Sequence, residues 1–329
     1  MAATSLRVPP IREDIQSRKP CLRCTRCGFV RRRVAENGGS TAEQHYLAEQ
    51  HDRNPMIVTE GSDYQLRVPD REFHIRDFGT GTPVVLLHGG ALDSRMWEEQ
   101  IPVLTRAGYR VAAFDARGHG QSTLPTTPFR QCDDVAAIVR HLDDGPAVLV
   151  GLSMGGAPAV DTALEHPDLV RAVVAVGSGT TEPVFADPFV LRIFETWQHA
   201  QENNDIEGWL DAFLLFAAGP HRGLDEVDPE VVRRIRRMAH NTVLAHARPE
   251  AVQPEHVVGS WERLGEIAVP VLAMLGELDA SDHREMGMRL ASSVQKGRSK
   301  VIAGTAHYPP MEQPDAFNQV LLEFLGSLT

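Results

Sequence analysis

The chain has 329 residues, of which 42% are hydrophobic and 23% are charged, and its formal net charge is −11. No apolar run approaches the roughly 18 residues that a membrane-spanning helix requires, and the first residues lack the apolar stretch of a secretory signal. We therefore expect a cytoplasmic protein without a membrane partner. Residues 1–55 carry a net charge of +4 and the remainder carries −15, which disfavours nucleic acid as the main partner. The sequence leaves the oligomeric state open.

Residues 1–55 form a basic extension without apolar periodicity, and the boundary lies near residue 55. Two cysteines followed by a glycine precede two histidines that a helix could carry, a pattern that resembles a small structural zinc finger. The candidate ligands are Cys24, Cys27, His45 and His51. The 17 residues between the two pairs exceed the usual spacing of about 12–15. A disordered tail is the alternative, and a native start at Met56 is another.

Beyond the extension, strand-like and helix-like segments alternate. The predicted strands are an opening hairpin at 64–68 and 72–79, followed by 83–89, 109–116, 147–152, 170–176, 269–279 and 300–304. The predicted helices lie at 97–106, up to about 141, from 154, after the strand 269–279, and at 314–325. Short, almost wholly apolar strands separated by helices are typical of an α/β protein with a mostly parallel sheet flanked by helices. Such sheets carry their sites beyond the carboxyl ends of the strands.

Ser153 follows the apolar strand 147–152 directly and precedes a helix. A sharp strand-to-helix turn would expose its hydroxyl, and such a turn needs small residues two positions before and after the serine. Gly151 and Gly155 meet that need. The pentapeptide alone is weak support, because any glycine-rich turn could match it. Pro158 lies about one turn into the predicted helix, where it would cost a hydrogen bond.

A serine nucleophile needs a base and an acid that orients the base. His307 comes just after a predicted strand, so it can reach the end of a neighbouring strand. Asp279 ends the preceding strand and is our choice of acid. Glu277 is the near rival and Asp282 a weaker one, and Asp279 could instead be a helix N-cap.

Two fixed backbone N–H groups should hold the oxyanion that forms during acyl transfer. The N–H of Met154, the residue after the nucleophile, is one candidate. Gly90, in the loop after the strand 83–89, is the other, with Ala91 as the alternative. His88 in the same loop is expected to pin the loop and not to act as a second base.

Five segments together resemble the α/β-hydrolase superfamily, in its esterase, lactonase and cofactor-free haloperoxidase-like branch. They are LLHGGALDSRMW, AFDARGHGQS, VGLSMGG, VPVLAMLGELD and GTAHYPPMEQPDAFNQVLLEFL. The resemblance covers roughly residues 60–329. It implies an α/β-hydrolase fold and a triad of Ser153, Asp279 and His307. It also implies a helical cap at about residues 181–262 and no catalytic cofactor.

The resemblance also bears on residues outside the triad. Arg117 and His119 are expected to shape a loop after the strand 109–116. Relatives that use an aspartate nucleophile, such as haloalkane dehalogenases and epoxide hydrolases, carry Asp where this chain has Ser153, which disfavours both of those chemistries.

These features predict a serine hydrolase that cleaves small-molecule esters or lactones through an acyl-enzyme on Ser153. Hydrolysis of carbon–carbon bonds or perhydrolysis by the same triad is an alternative, as is a non-hydrolytic ligand sensor. Within 181–262, most aromatic residues at helical spacing should hold the cap to the body, and a few should line a pocket over the serine. The six considered are Phe189, Phe194, Trp197, Trp209, Phe213 and Phe216. Arg192 or Arg95 could bind a carboxylate, although a solvated surface arginine is the default.

Overall fold

The computed structural model describes residues 61–246 and 250–328, which belong to one compact unit. Its centre is an eight-stranded sheet in the order β1-β2-β4-β3-β5-β6-β7-β8. The strands are β1 (Gly61–Val68), β2 (Arg71–Phe78), β3 (Pro83–Leu87), β4 (Arg110–Phe114), β5 (Ala147–Leu152), β6 (Val170–Val176), β7 (Pro270–Gly276) and β8 (Lys296–Ile302). β2 pairs antiparallel with both β1 and β4, and every later neighbouring pair is parallel.

Nine α-helices lie between the strands or after β8 in the described part of the chain. They are α1 (Ile101–Arg106), α2 (Gln131–Leu142), α3 (Gly156–Glu165), α4 (Pro188–Glu202), α5 (Ile206–Ala218), α6 (Pro229–His246), α7 (Ser281–Ser293), α8 (Pro309–Glu312) and α9 (Pro314–Gly326). α4, α5 and α6 lie between β6 and β7, within the segment 181–262, which we call the insertion. None of the described helices is both long and apolar enough to cross a lipid bilayer.

The core forms two apolar layers, one on each face of the sheet. In β3, Val84 and Leu86 belong to one buried cluster, whereas Val85 and Leu87 belong to the other. This division follows from the two-residue period of a strand, which sends alternate side chains to opposite faces. Because both layers are covered by helices, the inner parallel strands β3, β5 and β7 are apolar along their whole length, as predicted for an α/β-hydrolase fold. The edge strand β8 is mostly exposed and carries Lys and Arg.

Two predicted boundaries shift at the ends of strands that lead to the site. The helix predicted from residue 154 begins at Gly156, because Ser153–Gly155 form a turn of 3₁₀ helix first. Pro158 is therefore the third residue of α3, where a backbone N–H has no partner within the helix, so the proline costs no hydrogen bond. The strand predicted at 269–279 ends at Gly276, which places Asp279 in the loop beyond it.

The predictions for residues 1–55 concern the zinc ligands Cys24, Cys27, His45 and His51, the disordered tail and the boundary near residue 55. All of them lie outside the described residues, and they stay predictions.

Candidate active site

Ser153 occupies a strained turn at the carboxyl end of β5. Its φ is +51°, in the left-handed region that costs a residue with a side chain about 1 kcal/mol or more. A Cβ atom at Gly151 would lie 2.2 Å from the carbonyl oxygen of Gly155, and one at Gly155 would lie 2.4 Å from the carbonyl oxygen of Leu87. Both positions therefore require glycine, and the turn holds Ser153 at the edge of the sheet.

The pairing of β5 with β6 carries Ser153 towards the other predicted residues. Leu152, the last residue of β5, pairs with Val176, the last residue of β6. The next residue along β6 is Gly177, whose φ is +55°. A Cβ atom there would lie 3.1 Å from Oδ2 of Asp279 and 3.2 Å from Nδ1 of His307. The absence of a side chain at Gly177 leaves room for both groups next to the turn that bears Ser153.

Asp279 and His307 form a buried pair. Nδ1 of His307 lies 2.8 Å from Oδ2 of Asp279, and the two side chains are 5% and 2% exposed, respectively. Burial raises the pKa of the Asp279 carboxyl, but the neighbouring imidazoles and their hydrogen bonds outweigh burial and hold that pKa well below its ordinary value. Burial lowers the pKa of His307, Asp279 opposes that effect, and His283 adds to it. The result is an ionised carboxylate beside a neutral imidazole.

The other two carboxylates considered for the acid have different partners. The Glu277 side chain accepts a hydrogen bond from the backbone N–H of Gly304 and is exposed. Asp282 accepts hydrogen bonds from the backbone N–H groups of Ala186 and Asp187, so it holds the insertion. Asp279 is also not an N-cap, because α7 begins at Ser281 and Ala280 is its N-cap residue.

A second histidine, His283, joins the pair and was not among the residues predicted for the site. Its Nδ1 lies 2.8 Å from Oδ1 of Asp279, and its ring stacks on that of His307 with centroids 4.0 Å apart. The sequence does contain one signal for this contact. His283 lies four residues after Asp279, and side chains four residues apart lie close together when a helix forms there. Asp279 thus serves two imidazoles, one through each oxygen.

Ser153 lines a cavity of about 270 Å³. Ser153, His283 and His307 are all described, and the serine hydroxyl makes no hydrogen bond to either histidine. His283 also lines the cavity, whereas His307 is not among the lining residues. The structure thus brings Asp279 and His307 into contact, and Ser153 makes no hydrogen bond to either of them.

The candidate oxyanion donors lie next to one another. A Cβ atom at Gly90 would be 3.7 Å from the Cβ atom of Met154. Neither backbone N–H is a donor among the hydrogen bonds that the described turns and loops form. Met154 lies in the first turn after Ser153, where N–H groups point away from the helix without partners. Ala91, the alternative to Gly90, is buried and has a φ of +58°.

The loops around these donors are fixed by histidine and arginine side chains. His88 contacts the carbonyl oxygen of Gly89 through Nδ1 and accepts from the N–H of Ala116 through Nε2, so it pins two loops together, as predicted. Nδ1 of His119 lies 2.9 Å from the carbonyl oxygen of Arg117. The guanidinium of Arg117 donates to Asp134 and lies over the ring of Phe129.

A sequence model of the family described as the alpha/beta hydrolase fold matches residues 82–314. The chain belongs to the alpha/beta hydrolase fold family. The matched segment contains Ser153, Asp279 and His307 and begins just before β3.

Relatives in this family have several different activities. A 2-hydroxy-6-oxononadienedioate/2-hydroxy-6-oxononatrienedioate hydrolase of Burkholderia vietnamiensis is 28% identical over 280 residues, covering 82% of this chain and 93% of the relative. A non-heme haloperoxidase of Rhodococcus erythropolis is 29% identical over 273 residues, covering 78% and 96%. A solved thermophilic esterase of Thermogutta terrifontis is 26% identical, with a TM-score of 0.65 and coverage of 82% and 99%. These similarities identify an enzyme family and leave its individual reactions to the chemistry of the site.

The prediction about the insertion's aromatic residues is corrected in one respect. None of the six named aromatic residues lines the cavity that holds Ser153; Phe185 does. The six pack on one another instead, as in the stacked rings of Trp197 and Trp209, with centroids 5.1 Å apart. Phe216 reaches the body, where its ring centroid lies 5.5 Å from that of His307. The six aromatic side chains thus stabilise the insertion and its packing against the rest of the described unit.

The arginines considered for carboxylate binding lie away from the cavity. Arg95 pairs with Asp93 and is half-exposed, while Arg192 is exposed on α4. Neither contributes to the cavity wall. Arg192 therefore fits the default expectation of a solvated surface arginine, whereas Arg95 is held by the buried carboxylate of Asp93.

One group of side chains in the described chain has ligand atoms close enough together to hold a metal ion. It consists of Asp279, His283 and His307, and one ligand atom of each lies within 4.8 Å of the others. The two Nδ1 to carboxylate distances of 2.8 Å are those of N–H···O hydrogen bonds. Because a metal would have to replace those protons, the geometry favours a hydrogen-bonded cluster.

Proposed function

We propose that the protein is a serine hydrolase that cleaves small, uncharged carboxylic esters or lactones through an acyl-enzyme on Ser153. The observation that carries this proposal is the buried contact between Asp279 and His307, next to a serine held at a positive φ. A carboxylate on Nδ1 leaves Nε2 of His307 as the proton acceptor, which is the tautomer that a general base requires.

In the first half-reaction, Oγ of Ser153 attacks the substrate carbonyl carbon while Nε2 of His307 takes the hydroxyl proton. The N–H groups of Met154 and Gly90 stabilise the oxyanion. His307 then gives the proton to the leaving alcohol as the carbon–oxygen bond breaks. In the second half-reaction, water attacks the acyl-enzyme and releases the acid. These steps require no metal or organic cofactor.

The cavity supports an uncharged acyl group. Its volume of about 270 Å³ is near the low end of the roughly 300–1,000 Å³ typical of ligand pockets. Of the described residues that line it, none is Lys or Arg, and the one carboxylate is Glu255. An anionic substrate would therefore meet a carboxylate with no lysine or arginine to balance it.

We also propose that the insertion acts as a cap that completes this cavity. Thr181, Pro183, Phe185, Pro254 and His256 come from it and line the same space as Ser153. Apolar contributions such as Phe185 and Pro254 would exclude water from the acyl group and so strengthen the electrostatic interactions at the reacting carbon.

Three alternatives are less well supported by the site. The relative from Burkholderia vietnamiensis is named for substrates that are dicarboxylates, and the described cavity wall offers no cation for them. A pure ligand sensor would not need the buried Asp279–His307 contact, since binding alone requires no oriented base. Perhydrolysis uses the same residues, and no contact in the cavity favours it.

The proposal is tested with a panel of p-nitrophenyl acetate, butyrate and octanoate, several lactones and a 2-hydroxy-6-oxo diacid. We expect turnover of the short esters or lactones, poor turnover of the diacid, and a loss of at least about 10³-fold in Ser153→Ala. Preference for the diacid would contradict the uncharged acyl pocket. Equal turnover by Ser153→Ala would contradict the nucleophile.

A further inference from the structure

His283 sits where the fold brings a second imidazole onto the carboxylate of Asp279. The helix α7 starts two residues after Asp279, so His283, four residues along, turns back over it. Its Nδ1 lies 2.8 Å from Oδ1, which also accepts the backbone N–H of Ala280, and its side chain is 6% exposed. This placement gives His283 the same orienting partner as His307.

The carboxylate fixes the tautomer of both rings. Asp279 is ionised, so its two oxygens only accept hydrogen bonds, and each Nδ1 must donate its proton to one of them. In its neutral form, each ring therefore presents Nε2 as an unprotonated acceptor. A histidine in this state is chemically equipped to act as a general base.

Nε2 of His283 is left without a hydrogen bond in the described chain, because Asp279 engages only Nδ1. The accessible space next to His283 is the cavity that Ser153 lines, and His307 does not contribute to that wall. A water molecule entering the cavity would therefore meet the ring of His283, whose nitrogen without a partner is Nε2.

We propose, building on the serine hydrolase function above, that His283 is a second catalytic base that serves hydrolysis of the acyl-enzyme. Nε2 of His283 takes a proton from the hydrolytic water as the water oxygen forms a bond to the acyl carbon. The tetrahedral intermediate then collapses, the bond between that carbon and Oγ of Ser153 breaks, and His283 returns the proton to Oγ. His307 serves the first half-reaction, and the net reaction consumes one water and releases one acid.

If His283 were purely structural, it would only donate a hydrogen bond to Asp279. Two substitutions separate this structural role from the proposed role as a base. His283→Asn can keep a donor for Oδ1 of Asp279 but has no base on the cavity side. His283→Phe removes both. His141→Asn is the matched control, because His141 is exposed on α2 and its ring packs against Tyr64.

The experiment is stopped-flow and rapid-quench kinetics with p-nitrophenyl acetate, with the mass of the Ser153 peptide measured during turnover. We expect His283→Asn to keep the rate of the initial nitrophenolate burst within about threefold while the steady-state rate falls about 100-fold. Acetyl-Ser153 should persist about 100-fold longer in this variant than in the wild type or in the His141→Asn control.

Two results would overturn the inference. One is steady-state turnover of His283→Asn within about threefold of wild type, with a loss in His283→Phe alone, which would assign His283 a structural role. The other is a parallel fall of burst and steady-state rates in His283→Asn. A wild-type Ser153 that neither acetylates nor reacts with a fluorophosphonate would overturn the proposed function itself, which is a distinct outcome.

Discussion

Nδ1 of His307 lies 2.8 Å from Oδ2 of Asp279, and both side chains are buried. This contact separates Asp279 from its rival Glu277, whose carboxylate instead accepts from the N–H of Gly304. The contact can be made only because β7 ends at Gly276, so that Asp279 lies beyond the strand and can turn towards His307.

The Asp279→Asn variant is expected to lose about 10³–10⁴-fold in kcat/KM for a p-nitrophenyl ester, because the amide no longer fixes the imidazole tautomer. Glu277→Gln provides the matched control and should change kcat/KM less than about threefold. Circular dichroism checks that both variants are folded. If Glu277→Gln were the more damaging change, the acid would have to be reassigned.

The pH dependence of kcat/KM is set by His307, which must be neutral to act as a base. Burial lowers the pKa of His307, the charge of Asp279 opposes that, and the stacked His283 lowers it further. Tyr308 also packs against the ring, and its raised pKa keeps it neutral. Activity should therefore be lost as pH falls through an apparent pKa below the ordinary value of about 6.5.

The measurement is kcat/KM for an uncharged ester between pH 4.5 and 8, since this parameter reports the free enzyme. Fluorescence at each pH checks that the protein stays folded. An acid limb centred above pH 6.5 would mean that the opposing charge of Asp279 outweighs burial at His307.

The turn at Ser153 should not tolerate a side chain at Gly151, where a Cβ atom would lie 2.2 Å from the backbone oxygen of Gly155. Gly151→Ala is expected to lower the free energy of unfolding by about 3 kcal/mol or more, because backbone must move. Gly265→Ala is the control, since a Cβ atom there meets nothing within 4 Å, and it should change stability by no more than about 0.5 kcal/mol. Urea denaturation of both proteins measures the difference. Equal midpoints would contradict the close approach.

Asp161 is a buried carboxyl on α3 whose Oδ1 has no hydrogen-bond partner. Burial raises its pKa to about 6, against the opposing hydrogen bonds from Thr181. The folded state therefore holds a proton that the unfolded state has lost between about pH 4 and 6, so this group's contribution to stability falls as pH rises through 6.

Asp161→Asn should consequently raise the free energy of unfolding at pH 8 by about 1–2 kcal/mol, and the gain should vanish near pH 4. Asp133→Asn is the opposite control. Burial raises the pKa of Asp133, but Arg130 and His166 outweigh that and lower it, so its removal should destabilise at pH 8. Urea denaturation at pH 4, 5 and 8 measures both. A gain for Asp161→Asn that did not depend on pH would exclude titration as its cause.

Much of the fold followed from local patterns. The apolar run at 147–152 gave β5 with the bounds observed, and the run at 170–176 gave β6. The sequence also predicted that Ser153, Asp279 and His307 lie at the same edge of the sheet. Each follows a strand, and parallel strands bring their carboxyl ends to one edge.

Other features depended on tertiary contacts that a linear pattern does not contain. Apart from its spacing from Asp279, nothing in the sequence distinguishes His283 from the other 13 of the 14 histidines. Its contact with Asp279 depends on the start of α7 at Ser281, which turns the side chain back towards the carboxylate. The six aromatic residues of the insertion had helical spacing, but spacing does not say whether a ring faces a cavity or another ring. The role of Pro158 likewise depended on where α3 starts, which the 3₁₀ turn after Ser153 decides.

The central claim is that Ser153 is the nucleophile, and the most direct test is covalent labelling with a fluorophosphonate followed by peptide mass spectrometry. We predict a single adduct on the peptide that contains Ser153, slower labelling in Asp279→Asn, and no adduct in Ser153→Ala. An unlabelled wild-type protein, or a Ser153→Ala protein labelled to the same extent, would contradict the account.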